Sequence, residues 1–157
     1  MREIITQVKQ IINPGTFQKI QDDTAEATGL AIITVDYQGT PVTVHSKCSE
    51  FCRKMRGSPE FAALCRKCDS RGGLEAARNH EPYIYLCHAG IVDLAIPIIL
   101  DDLYIGAFMA GQVLLDDTRD NRMLERMLEG SGAVSDYGSD PKLGASYQKL
   151  PYMSLQR

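Results

Sequence analysis

The sequence predicts an α+β fold in which one five-stranded antiparallel sheet carries a helical insertion between its second and third strands, with helices at both ends. Three observations predict it. The β-branched runs "LAIITVD" and "VTVHS" flank the turn signal "YQGTP", residues 48–79 switch to helical spacing, and three apolar, strand-like runs follow Pro82. A chain of 157 residues is about one domain's worth, so residues 1–157 read as a single unit with a core at 17–115.

In chain order, Ile4, Ile5, Val8, Ile11 and Ile12 repeat on one helical face and stop at Pro14, giving an amphipathic helix at 2–13 suited to a homodimer contact. "TFQKIQDDTAEATG" forms a second helix, capped by Thr16 and ended by Gly29. It leads into the hairpin of "LAIITVD" and "VTVHS". Cys48, Cys52 and Met55 are spaced helically, "GSPE" breaks the pattern, and "FAALCRKCDSRGGLEAARNH" resumes it, with Gly72 and Gly73 placed to bend or divide this helix. The runs "YIYLCHAG", "IVDLAIPIIL" and "YIGAFMAGQVLL" supply three strands, the last two joined at "DDL". Met123, Leu124, Met127 and Leu128 mark a short helix ahead of a polar loop at 130–140. This element order is that of a PAS-like sensor fold, and a fold alone does not define a function.

Composition excludes several classes. With 44% hydrophobic and 24% charged residues, disorder is not expected, and a net charge of −3 leaves no basic footprint for gripping nucleic acid. The N-terminus lacks the unbroken apolar core of a signal peptide, and the longest apolar-rich run is interrupted by Asp93, Pro97, Asp101 and Asp102, so neither secretion nor a membrane span is expected. The expected compartment is cytoplasmic. Five cysteines without a secretion signal read as reduced thiols or metal ligands before disulfides.

The cysteines fall as Cys48-x3-Cys52, Cys65-x2-Cys68 and Cys87. On helices, each pair shares a face, and two pairs supply four thiolates for a tetrahedral zinc or an iron–sulfur cluster, with Cys87 able to replace any one. Equally, free cysteines act as small buried hydrophobes. A redox dithiol fits less well, because "CRKC" follows a helical run instead of opening a helix after a strand.

Cys87, His88 and Asp93 stand among apolar residues, where polar groups must be hydrogen-bonded or solvated. They either line a ligand cavity walled by Tyr83, Tyr85, Ile91, Ile96 and Phe108, or form a satisfied structural cluster. Gly106, Gly111 and Gln112 suggest a close backbone approach, with the Gln112 amide available to a ligand, or close packing against the insertion. No Walker, Rossmann, Ser-His-Asp or HExxH pattern appears, so no enzyme is expected. A thiol enzyme would need Cys87 and His88 together, and neighbours on a strand point to opposite faces.

Taken together, "FQKIQDDTAEATGLAIITVDYQGTPVT", "EFCRKMR", "LCRKCDSRGGLEAA", "PYIYLCHAGIVDLAIPIIL" and "YIGAFMAGQVL" resemble the PocR family of bacterial sensory domains, across residues 17–115. The specific part is "CHAG-x-x-D-x-A-x-PI" followed by "G-x-x-x-x-GQV". The resemblance implies a PAS-like variant placed before histidine-kinase, cyclic-dinucleotide or DNA-binding output modules, sensing small hydrocarbon derivatives such as propanediol. The family's pattern falls on Cys52, Cys65, Asp69, Cys87, His88, Gly90, Asp93, Pro97, Gly111 and Gln112. The expected ligand-binding set is therefore Cys52, Cys65, Asp69, Tyr85, Cys87, His88, Asp93 and Gln112.

Position 68 departs from that pattern, which favours Cys48, Cys52, Cys65 and Cys87 as a metal set, with Cys68 as substitute. The expected function is a sensor domain of a bacterial signal-transduction or transcription regulator. It would bind a short diol, alcohol or acid between sheet and insertion, with the output module absent after "LPYMSLQR". The alternative is a cysteine-ligated iron–sulfur or zinc redox or metal sensor.

Overall fold

The computed structural model describes residue 11 and residues 13–116, 120–127 and 141–154. The amphipathic helix expected at 2–13 and the loop expected at 130–140 fall almost entirely outside the described residues.

Helix α1 spans Pro14–Thr28. Its cap is Asn13 instead of Thr16: the Asn13 side chain accepts from the Gly15 and Thr16 amides, at 3.0 and 3.3 Å, and Pro14 takes the first helical position, where no N–H is needed. Gly29, at φ 74°, ends the helix and turns the chain into β1, Ala31–Asp36. The partner strand expected at 42–46 is irregular. It meets β1 only at isolated bridges, Ile32 with Ser46 and Val35 with Pro41. The Thr34 amide donates to the Thr43 hydroxyl in place of a backbone carbonyl, and the Gln18 side chain takes both the Val44 amide and its carbonyl. Side chains from α1 thus compete with the ladder and pull the segment off register.

Helix α2 covers Glu50–Met55 and α3 covers Pro59–Asn79, followed by β2 (Tyr83–Leu86), β3 (Val92–Leu100) and β4 (Leu103–Leu115). A 3₁₀ turn at Asp120–Met123 stands where the short helix was expected, ahead of helix α4 (Pro141–Gln148) and strand β5 (Tyr152–Met153). The sheet order is β1-β4-β3-β2, antiparallel throughout, and β5 adds a short parallel pairing at the far end of β4. The α+β class, a five-stranded sheet and a helical insertion are as the sequence predicts, and the arrangement is consistent with a PAS-like fold; because 42–46 is not a regular strand, the insertion separates β1 from β2 instead of a second from a third predicted strand. The fifth strand comes from the weakly patterned C-terminal segment.

The sheet divides the core. On its inner face Ile33, Val35, Ala95, Ala107, Met109 and Tyr85 pack against Cys68 and Ala76 of α3. On its outer face Ile32, Ala110 and Phe108 meet α1 through Ala25, and Phe17 stacks on Phe108 with ring centroids 5.3 Å apart. Helix α3 is not divided at Gly72–Gly73 but runs on through them. These glycines let it lie close on the sheet: a Cβ at Gly72 would stand 2.5 Å from the Tyr85 ring, and one at Gly73 would strike the Tyr104 hydroxyl.

Gly72→Ala is expected to destabilise the protein, since forcing an extra methyl against the fully buried Tyr85 costs about 1–3 kcal/mol and outweighs the roughly 1 kcal/mol gained in helix propensity. A lowered denaturant midpoint with an unchanged m-value would be the signature.

Candidate functional site

The insertion and the inner face of the sheet enclose a small polar cavity built from four short stretches. Helix α2 begins at Ser49, whose hydroxyl accepts from the Cys52 amide at 3.2 Å, and its next two turns carry Cys52 and Arg56, four residues apart on one face. From α3 come Cys65, Cys68 and Asp69, at i, i+3 and i+4.

The "CHAG" stretch is a turn between β2 and β3, not a strand end. The Gly90 amide donates to the Cys87 carbonyl at 2.9 Å, the Cys87 amide donates to the Ile91 carbonyl at 2.8 Å, and Gly90 takes φ 73°. Strand alternation therefore does not separate Cys87 from His88; both line the cavity. The imidazole nevertheless pairs elsewhere, its Nε2 lying 3.3 Å from Cys65 Sγ on α3.

The fourth stretch is a β-bulge. Val92 pairs with Val113 and Asp93 with Gly111, so Gln112 has no partner residue on β3 and sits at φ 57°. A Cβ at Gly111 would lie 2.5 Å from the Val92 carbonyl oxygen and 2.6 Å from Asp93 Oδ1, so only glycine fits. The close approach inferred from Gly111 is to Asp93. The Gln112 amide is not held in reserve for a ligand. Its Oε1 accepts from the Ser49 amide at 2.7 Å, and its Nε2 lies 3.1 Å from His45 Nε2 and 3.7 Å from Cys48 Sγ. It clamps the segment that starts α2.

Seven of the eight expected ligand residues line this cavity: Cys52, Cys65, Asp69, Cys87, His88, Asp93 and Gln112. Tyr85 does not. It lies fully buried beneath Gly72, stacked on Tyr83. Of the expected walls, Ile91 is present, whereas Ile96 and Phe108 line a groove under α1 on the opposite face of the sheet. Cys48 stands outside the wall beside Gln112, and Cys68 is inside it, the reverse of the ranking that the sequence suggested. All five cysteines are free thiols. Among the described residues no group of three or more His, Cys, Asp or Glu side chains converges to hold a metal ion.

Burial governs the electrostatics. It pushes the Cys52, Cys65 and Cys68 thiols up to about 12 and Cys87 well above its ordinary value. It lowers His88 to about 4 and His45 to about 3, with Arg56 adding repulsion to both. At neutral pH the His88–Cys65 pair is thus imidazole and thiol, not the ion pair of an activated nucleophile. Asp69, only 3% exposed, is raised to about 6 by burial, against the pull of Arg56. Asp93 is raised well above its ordinary value, first by burial and then by Asp69. Burial opposes the charge on Arg56, and the ionised forms of its neighbours, Asp69 and Asp93 among them, more than restore it.

Sequence reasoning passed over Arg56 and Phe61, both in the wall. The signal for Arg56 was its spacing of four from Cys52. Phe61 stands edge-on to His88 at 4.4 Å and continues a chain of aromatic contacts, Phe61 to Phe51 at 6.5 Å and Phe51 to Tyr147 of α4 at 5.0 Å. That chain links the cavity to the C-terminal helix.

Residues 10–157 match a family model of sensory domains, which sets the class: this is a sensory domain. The regulatory protein PocR of Salmonella typhimurium is 34% identical over 147 residues, 93% of this chain and 46% of that protein. The family model is described as "Sensory domain found in PocR", and the chain belongs to that family. It spans about half the length of the curated relative it matches. No solved structure matches. Among the described residues no helix is long and apolar enough to cross a membrane.

In the native protein at pH 8, iodoacetamide is expected to modify Cys52, Cys65, Cys68 and Cys87 on the order of 100-fold more slowly than in the unfolded chain, because raised thiol values leave almost no thiolate. Mass spectrometry of timed alkylation checks each position.

Proposed function

We propose that the protein senses a small, hydroxyl-bearing hydrocarbon derivative, a short diol or alcohol before an acid, bound in the cavity between α2, α3 and the sheet. One observation carries this reading. A single site gathers polar groups that the protein itself leaves without partners: Arg56 Nε and His88 Nδ1 are buried and make no hydrogen bond, and Asp69 and Asp93 line the same cavity. A hydroxyl accepts one hydrogen bond and donates another, so it answers both sides of such a site. The apolar edges of Phe61, Ala89 and Ile91 suit the carbon skeleton.

The space is tight. About 20 Å³ is room for one water, and even a three-carbon diol needs several times that. Ligand entry therefore requires the wall to open, and α2 is the part best suited to move: six residues long, joined to α3 by three residues, and held at its start by Gln112. Displacing α2 carries Phe51 with it and alters the seat of Tyr147 on α4. Occupancy is thereby converted into a shift between two arrangements of α2 and α4, by the ligand's differential affinity for them. In a cytoplasmic transcription regulator about twice as long as this chain, that shift would reach a DNA-binding output.

Propane-1,2-diol, propan-1-ol and lactate in a thermal-shift series test the reading. At 100 times its Kd a ligand adds about 2.7 kcal/mol and raises Tm visibly, and Ala89→Leu, which fills the cavity, is expected to abolish the shift. The absence of any shift in the wild type would overturn the proposal. Stoichiometric zinc, or a visible spectrum that bleaches in air, would favour the cysteine-ligated alternative.

A further inference from the structure

We infer that Arg56 is the ligand's anchor, donating from its guanidinium to a ligand oxygen, and that it sets the charge of the molecule the site admits. The inference rests on the reading of the cavity as the sensing site and adds a residue and a selectivity to it. Arg56 caps the C-terminal end of α2, where its backbone amide donates to the Cys52 carbonyl and φ is −69°. Its side chain lines the cavity, and its Nε is buried with no hydrogen-bond partner. In the same cavity wall His88, 1% exposed, has its Nδ1 equally without a partner. In the tautomer in which the Cys65 thiol donates to Nε2, Nδ1 carries the His88 proton and joins Arg56 Nε as a second free donor; in the other, Nδ1 is a free acceptor.

The charges stand apart. Among the described residues Arg56 forms no ion pair, although Asp69 and Asp93 line the same cavity and both act on it electrostatically. Arg56 is half-buried with its Nε closed off from water, and a guanidinium so placed beside two acids ordinarily meets one of them directly, because desolvation without a contact is costly. Here the groups surround a gap. The molecule that fills it closes the circuit, accepting from Arg56 on one side and donating to a carboxyl on the other.

Selectivity follows from the count of charges. Two acidic side chains already face one guanidinium, so a carboxylate ligand would add a further negative charge beside them. An uncharged hydroxyl compound adds none. The site should therefore prefer a neutral diol to the corresponding hydroxy acid, with Arg56 serving as a hydrogen-bond donor and not as the counter-ion of an anion.

The test compares wild type, Arg56→Met, Arg56→Lys and the exposed control Arg53→Met, with propane-1,2-diol and lactate as probes, by calorimetry and thermal melting. Losing a charge-assisted hydrogen bond is expected to weaken diol binding about 10–100-fold in R56M, with R56K in between and R53M unchanged. Lactate should bind wild type at least about tenfold more weakly than the diol. Diol binding by R56M equal to wild type, or lactate binding as tight as the diol, would each overturn the assignment. Should R56M not fold, equal diol binding by R56K would do so. A wild type that binds neither probe refutes the sensing reading itself, a result distinct from any of these.

Discussion

The inner face of this domain depends on one irregularity, the bulge at Gly111–Gln112 in β4. By leaving Gln112 without a partner residue on β3, it turns that side chain toward the segment before α2, where the amide meets the Ser49 amide, His45 and Cys48. The same bulge requires glycine at 111, because Asp93 and the Val92 carbonyl occupy the space a side chain would need. One extra residue in a strand thus aims Asp93, starts α2 and so positions Cys52 and Arg56. A regular ladder at this point would place Gln112 on a fixed side of the sheet and leave α2 without its tether.

What the bulge assembles is a polar site in a place that favours neutral groups. Burial keeps the four cavity thiols protonated and the histidine uncharged, which removes the ordinary routes to thiolate chemistry. The cysteines then serve as small, polarisable wall atoms around Arg56 and the two acids. Such a wall is adaptable in shape and selective in charge. These are properties of a binding site more than of a catalytic one, and they agree with the membership of the chain in a family of sensory domains.

The cavity is also placed where a change in it has consequences. Helix α2 is short and is the element shared by three neighbours: the Gln112 clamp, the cavity wall and, through Phe51, helix α4. Helix α3, by contrast, is pressed onto the sheet through Gly72 and Gly73 and has little freedom to shift. A rigid helix on one side and a short, tethered helix on the other suit a site whose filling must move something.

Local patterns in the sequence determined much of this. β-branched runs, turn signals and helical cysteine spacing suffice for the α+β class, the insertion and most strand positions, because they act within a few residues. The "EFCRKMR", "LCRKCD", "CHAG…D" and "GQV" stretches marked seven wall residues in advance. What the sequence left undecided depends on partners distant along the chain. Whether 42–46 forms a strand turned on Gln18 and Thr43, and whether Gly72–Gly73 breaks a helix or admits Tyr85 turned on packing across the sheet. The exchange of Cys48 for Cys68, the use of the Gln112 amide and the entry of Arg56 likewise arise only when α2, α3 and the bulge converge. Spacing along a helix states which side chains share a face; only the tertiary structure decides what that face meets.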